Sequence, residues 1–147
     1  MPSTYFCLHV HVIFSTKERR NLINPAWEDR LHALMGSVLS ERGVEPVAIG
    51  GVADHVHLLI RIKPTHALSD VMRELKSVSS KWVREQRLEP IFGWQEGYAV
   101  LAVSSSKADA VARYIGNQAE HHRVMTSEEE FRRFLRKAGI DWDGARA

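Results

Sequence analysis

Two stretches of this chain alternate so strictly that extended strand is the only regular structure they fit. In Tyr5–Ser15 the residues Phe6, Leu8, Val10, Val12 and Phe14 point one way, and Cys7, His9, His11 and Ile13 the other. In His55–Ile62 the residues Val56, Leu58, Ile60 and Ile62 form one face, and His55, His57, Leu59 and Arg61 the other. Each strand thus has an apolar face that helices must cover. Such helices are legible nearby. After Asn24-Pro25, a cap and first-turn signal, Trp27, Leu31, Leu34, Met35, Val38 and Leu39 recur at helical spacing up to Gly43. After Pro64, Leu68, Val71, Met72, Leu75, Val78 and Trp82 mark the longest helix, with Thr65 or Ser69 as its cap. Val44–Gly51 reads as a short strand and Glu96–Ser105 as a fourth. A helix over Lys107–His122 follows, capped from Ser104–Ser106, and Thr126 or Ser127 with Glu129 or Glu130 signals the capping box of a last short helix.

The order strand, helix, strand, strand, helix, strand is the split βαβ, ferredoxin-like or RRM-like arrangement, an α+β fold with the first and third strands at the centre of a four-stranded sheet. Its second sheet face is expected to be open. The length, 147 residues, suits one domain spanning 1–147, with a core over about 5–122 and a helical tail over about 126–147.

The formal net charge of +2 argues only weakly for nucleic acid, so the placement of charge must decide. The single cysteine, Cys7, excludes an internal disulfide, and its apolar setting reads as a core or sheet position in a reducing compartment. No apolar run approaches a membrane span and the N-terminus lacks a secretory pattern, so a cytoplasmic location is expected.

His55 and His57 stand at i and i+2 on one strand face, roughly 6–7 Å apart at Cα, a spacing that suits a shared metal ion. His9 and His11 form a second such pair, and in this fold both pairs share a sheet face. Neither pair completes a coordination shell, so another ligand must come from elsewhere. In the helix Lys107–His122, the small stripe of Ala108, Val111, Ala112, Ile115 and Ala119 suits close packing on the sheet, and Tyr114, Asn117, Gln118 and His121 lie beside it. Tyr114 and Gln118, at i and i+4, fall on one face. A phenol near a metal is a possible nucleophile, but periodicity alone does not raise Tyr114 above Tyr5 or Tyr98. Arg73, Lys76, Ser80, Arg84 and Arg87 form a stripe on the long helix, with Lys81 nearby, and Lys17, Arg19 and Arg20 cluster after the first strand. Both read as phosphate contacts or as solvated surface. Arg132, Arg133, Arg136 and Lys137, preceded by Glu128–Glu130, look like helix-end charge complementarity rather than a DNA patch. No Gly-x-Ser-x-Gly context or phosphate-binding glycine loop is present.

From about His11 to His122 the pieces HVIFSTKERR, ADHVHLLIRIKP, ELKSVSSKWV, FGWQEGYAVLAVSSS and ARYIGNQ, in that order, resemble the small HUH-type, single-tyrosine transposases of the insertion-sequence-200 type. The resemblance implies His55, His57 and Gln118 as ligands of Mg²⁺ or Mn²⁺, and Tyr114 as a nucleophile that forms a 5′-phosphotyrosine link in single-stranded DNA and frees a 3′-hydroxyl. It also implies recognition of DNA hairpins at element ends and a homodimer in which the tyrosine helix can serve the partner's histidines. His9, His11 and Asn117 become accessory candidates. Three other readings stand beside it: a repeat-associated, domesticated relative with the same chemistry, a non-catalytic RRM-like nucleic-acid-binding module, and a plain oligomerisation domain.

Overall fold

The computed structural model describes residues 3–123 and 125–142; the end of the expected helical tail, 143–147, lies outside them. The elements are β1 (Leu8–Ser15), α1 (Glu28–Glu41), β2 (Glu45–Val52), β3 (His55–Ile62), α2 (Leu68–Glu85), β4 (Ala99–Val103), α3 (Ala108–Gly116), α4 (Gln118–His121) and α5 (Ser127–Lys137). The sheet runs β2-β3-β1-β4, every neighbouring pair antiparallel, with the two most strictly alternating strands at its centre. This is the ferredoxin-like order read from the sequence.

On one sheet face Val12, Phe14, Val56, Leu58 and Ile60 pack beneath Leu31, Met35 and Leu39 of α1 and Val71, Met72 and Leu75 of α2. Val78 does not join them: it is exposed, while Ser79 and Val83 are buried. The Ser79 hydroxyl donates to the Leu75 carbonyl at 2.6 Å and accepts the Trp94 indole N–H at 2.9 Å, which satisfies a polar group in the core. Helix ends also differ from expectation. The Asn24 side chain accepts the Ala26 N–H at 2.8 Å, so Asn24-Pro25 forms a turn and α1 starts only at Glu28. Neither Thr65 nor Ser69 caps α2; its N-cap is Ala67. Gly43, at φ 77°, closes α1 with the Val44 N–H on the Leu39 carbonyl, and Thr126 makes the expected capping box with Glu129.

Two strands are shorter than their alternation suggested. β1 begins at Leu8; Tyr5 and Cys7 are exposed, and the Cys7 thiol lies 3.0 Å from the Ser105 hydroxyl, so Cys7 is not a core residue. β4 begins at Ala99, because Lys76 draws the Gln95 and Gly97 carbonyls onto its ammonium at 2.8 and 2.5 Å and holds that segment as a loop.

The larger correction concerns the second sheet face, which is covered. α3 lies over Leu59 with Ala108 and Ile115, and α5 lies over Ile13 and Ala99 with Phe131 and Leu135. The apolar residues interleaved with the histidines, Ile13, Leu59, Leu101 and Val103, recruit these helices. α3 approaches so closely that a Cβ at Gly50 would stand 2.1 Å from the Ile115 carbonyl oxygen. Gly50→Ala is therefore expected to lower stability by about 1–3 kcal/mol, the usual cost of overpacking, with a lowered melting temperature as the check. An unchanged melting temperature would mean that α3 is not pinned there.

Candidate metal and tyrosine site

The covered face buries a polar cluster between α3 and α5. His55, His57, His11, Gln118 and Glu130 are each less than 5% exposed, with 4% at His55 the largest value. A cluster this dry must satisfy its hydrogen bonds internally, and the directions can be followed atom by atom. His11 Nε2 lies 2.7 Å from His57 Nδ1, and His57 Nε2 lies 2.7 Å from Glu130 Oε1. With His11 donating to His57 and His57 to the carboxylate, both rings are neutral. His55 instead donates at both nitrogens, from Nδ1 to Asp54 Oδ1 at 2.7 Å and from Nε2 to Gln118 Oε1 at 3.1 Å. That pattern requires an imidazolium. The Gln118 amide donates to Glu130 Oε2 at 3.2 Å, the Tyr114 hydroxyl donates to the same oxygen, and Ser127 Oγ donates to Asp54 Oδ1 at 2.9 Å.

The titration behaviour agrees. Burial holds His57 at about 4 and, helped by the His57 charge, His11 at about 3. Burial would also lower His55, but its hydrogen bonds to Asp54 and Glu130 and their charges raise it to about 9. Burial opposes ionisation of Glu130, yet hydrogen bonds from His55, His57 and Tyr114 hold its pKa well below the carboxylate range. Tyr114 is pushed above its ordinary value by burial, by its hydrogen bond to Glu130 and by that carboxylate's charge, against the weaker opposite pull of Gln118 and Arg133.

These shifts set a pH profile for the metal-free protein. His11 and His57 titrate near 6.5 when unfolded and lower when folded, so their contribution to stability is whole above about pH 6.5 and is lost as pH falls through about 4 and then 3. His55 acts in the opposite sense, its contribution full below about 6.5 and lost as pH rises through about 9. Thermal melts in EDTA should give the highest Tm near neutrality with a fall on both sides; a flat profile from about pH 4 to 7 would contradict the buried neutral pair.

The sequence-derived candidates divide into those brought together and those left apart. His55, His57, Gln118 and Tyr114 converge, and His11 joins them through His57. His9 is outside the cluster, 3.8 Å from the exposed Cys7 thiol. The expected continuous helix Lys107–His122 breaks after Gly116: Asn117, at φ −108° and ψ 28°, ends α3 and leads into α4, exposed and turned from the site. Gly116 and Asn117 together explain the break, since neither favours a helix interior. Gln118 still reaches His55 from the first position of α4.

Most of the basic candidates are occupied. Arg73 pairs with Asp70, Lys81 with Glu85 and Arg20 with Glu18. Arg84 donates to the Phe92 carbonyl. Burial lowers Lys76 to about 8, and its ammonium is spent on loop carbonyls and on the rings of Phe14 and Tyr98. Arg19 lies over the rings of Phe131 and Trp142, and Lys17 is exposed.

Sequence reading missed Glu130, His122 and Asp54. His122 Nε2 lies 3.3 Å from Glu130 Oε1, the His121 ring stacks on Tyr114 at 4.0 Å, and Asp54 orients His55. A signal for Glu130 exists: it shares the apolar stripe of α5 with Phe131, Phe134 and Leu135, a costly place for a carboxylate unless something polar faces it. The donor set suits a divalent cation. Donor atoms of His55, His122 and Glu130 lie within 4.8 Å of one another, and His57 Nε2 and Gln118 Oε1 adjoin them. Asp54 accepts the outer N–H of His55, the support metal-binding histidines usually have, and His11 Nε2 stands where it would accept the outer N–H of His57 once His57 presents Nε2 as a lone pair.

The sheet order and the helices over it define an α+β domain of the ferredoxin-like kind, with paired strand histidines and a tyrosine helix facing them. The chain belongs to the family described as "Transposase IS200 like", which it matches over residues 4–118. It is 27% identical over 117 residues to the ISDra2 transposase TnpA of Deinococcus radiodurans, covering 76% of this chain and 84% of that protein. It is 27% identical over 120 residues to the transposase for insertion sequence element IS200 of Salmonella typhimurium, covering 78% of each. A crystal structure of a transposase from Deinococcus radiodurans R1 superposes with TM-score 0.64 at 27% identity, over 80% of this chain and 95% of the other. The structure of a REP-associated tyrosine transposase bound to a REP hairpin shares the fold, with TM-score 0.61 at 17% identity, over all of this chain and 92% of that one. Among the described residues no helix is long and apolar enough to cross a membrane.

Proposed function

We propose that this transposase cuts and rejoins single-stranded DNA with Tyr114 as its nucleophile, His55, His57 and Gln118 holding Mg²⁺ or Mn²⁺, and Glu130 serving both groups. The observation that carries this reading is the division of the Glu130 carboxylate: Oε1 faces the imidazoles at 2.7 Å (His57) and 3.2 Å (His55), while Oε2 accepts the Tyr114 hydroxyl. One oxygen is placed to offset the charge of a cation among otherwise neutral ligands, the other to orient the Tyr114 hydroxyl. A bound divalent ion would polarise the scissile phosphate and stabilise the charge that builds on it. Taking it up requires His55 to release its Nε2 proton and His57 to present Nε2 as a lone pair. In the cleavage step the Tyr114 oxygen forms a bond to phosphorus and the bond from phosphorus to the 3′ oxygen breaks. The Tyr114 hydroxyl, oriented by Glu130 Oε2, gives up its proton to solvent, and the departing 3′ oxygen takes one up from solvent. The 5′-phosphotyrosine conserves the bond energy for rejoining.

Tyr114 lies beside the histidines of its own chain, its ring centroid 6.2 Å from that of His57, so a homodimer of the family's kind would not need to exchange tyrosine helices to complete a site. Binding of hairpins at element ends is supported by the hairpin held by the REP-associated relative of the same fold. The test is incubation with single-stranded DNA from the gene's own flanks plus Mg²⁺. A covalent protein–DNA band on a denaturing gel is expected, and its absence at every flank would overturn strand transfer.

A further inference from the structure

Tyr114 does not open onto bare solvent. Its ring borders a cleft of about 300 Å³ between α3 and α5, whose lining includes Lys107, Val111, Glu130, Arg133, Phe134 and Lys137. Lys107, Arg133 and Lys137 are all exposed. Among the described residues none of them has an ion-pair partner, whereas Arg20, Arg61, Arg73, Lys81, Arg123 and Arg132 are each paired with a carboxylate. The one acid in the lining, Glu130, is buried and faces the His55 imidazolium, so it does little to cancel the positive field. The remaining walls are apolar, Val111 and the ring of Phe134 among them. The volume sits at the lower end of the roughly 300–1,000 Å³ of small-ligand sites, which suits a nucleotide unit.

We propose that this cleft is the channel for the DNA single strand, with Lys107, Arg133 and Lys137 holding the phosphates that flank the one presented to Tyr114, and Phe134 offering a face to a base. The assignment rests on the strand-transfer reading and names where its substrate lies. It reverses the sequence expectation at two points. On α2, Arg73, Lys76, Lys81 and Arg84 have partners within the protein, and the basic end of α5, read there as helix-end complementarity, lines the same cleft as Tyr114. Arg133 and Lys137 lie beyond the segment 4–118 matched by the family, so the channel's second wall comes from the chain's own C-terminal helix.

The test is equilibrium binding of a fluorescent oligo-dT single strand of about 12 nucleotides to the full chain in EDTA, by anisotropy, across about 50–200 mM salt. Neutralising Lys107→Gln, Arg133→Gln and Lys137→Gln together is expected to weaken binding at least about tenfold at low salt and to flatten the logarithmic salt slope by about 2, near 0.7 for each lost phosphate contact on a single strand. Arg133→Lys should keep the slope. The pair Arg73→Gln and Lys81→Gln on α2 should stay within about twofold of the parent, on the order of surface charges that touch no phosphate. A triple variant that binds with the parent's affinity and slope, or a loss carried by the α2 pair instead, overturns the channel. The two readings fail separately. A parent chain that binds with this slope but never forms an adduct loses strand transfer and keeps the channel. A chain whose adducts form while the triple variant binds normally loses the channel alone.

Discussion

Tyr114→Phe is expected to abolish covalent adducts with single-stranded DNA while leaving oligonucleotide binding within about twofold. Removing a nucleophile from an enzyme costs on the order of 10⁶ in rate, so the adduct band should fall below detection. The substitution is structurally mild. The ring keeps its stack on His121 and its edge contact with Phe134, and Glu130 Oε2 keeps the Gln118 donor at 3.2 Å. The loss of one hydrogen bond is worth about 1 kcal/mol, so a near-parent Tm is the internal control. Adducts that persist in Tyr114→Phe would sink the assignment of the nucleophile, whatever else the site does.

Glu130→Gln should weaken Mn²⁺ binding by at least about 10- to 100-fold, the loss seen when a group that only supports a metal ligand is removed, measured by calorimetry or by the Mn²⁺ spin-resonance signal without DNA. His55, His57, His122 and Gln118 would all be neutral as ligands, so Glu130 would be the anion among them that offsets a divalent charge. The amide conserves shape but not charge, and it also removes one cause of the raised His55 pKa. Glu130→Asp keeps the charge and should lie between the two. Equal Mn²⁺ affinity in the parent and in folded Glu130→Gln would leave Glu130 as a bracket for the histidines and take away its part in the metal site.

Much of this was readable along the chain. The order of elements and the pairing of β1 with β3 followed from period two and period 3.6, because burial of one face is a local pattern that the backbone repeats. His55 and His57 were legible as a pair for the same reason, as residues i and i+2 of a strand necessarily share a face. Tyr114 was not singled out by pattern; its role came from resemblance, and the structure adds its hydrogen bond to Glu130. Where helices begin was less legible, since Asn24, Thr65 and Ser69 all carry cap-type side chains and none of them caps the helix assigned to it.

Glu130, His122 and the cations of α5 were out of reach for a different reason. Glu130 lies 73 residues from His57 along the chain and meets it at 2.7 Å only because α5 folds back over β1 and β4. Nothing in a capping-box run of acids says which of them turns inward; that depends on how the helix rotates when Phe131 and Leu135 seek Ile13 and Ala99. By itself, then, the sequence determined the sheet, its central strands and the histidine pair, because those rest on short-range periodicity. The tertiary structure alone decided that the histidine face is covered, that a carboxylate completes it, and that cations without an ion-pair partner among the described residues gather beside Tyr114, because these depend on how distant apolar stripes dock and on which charges find partners when they do.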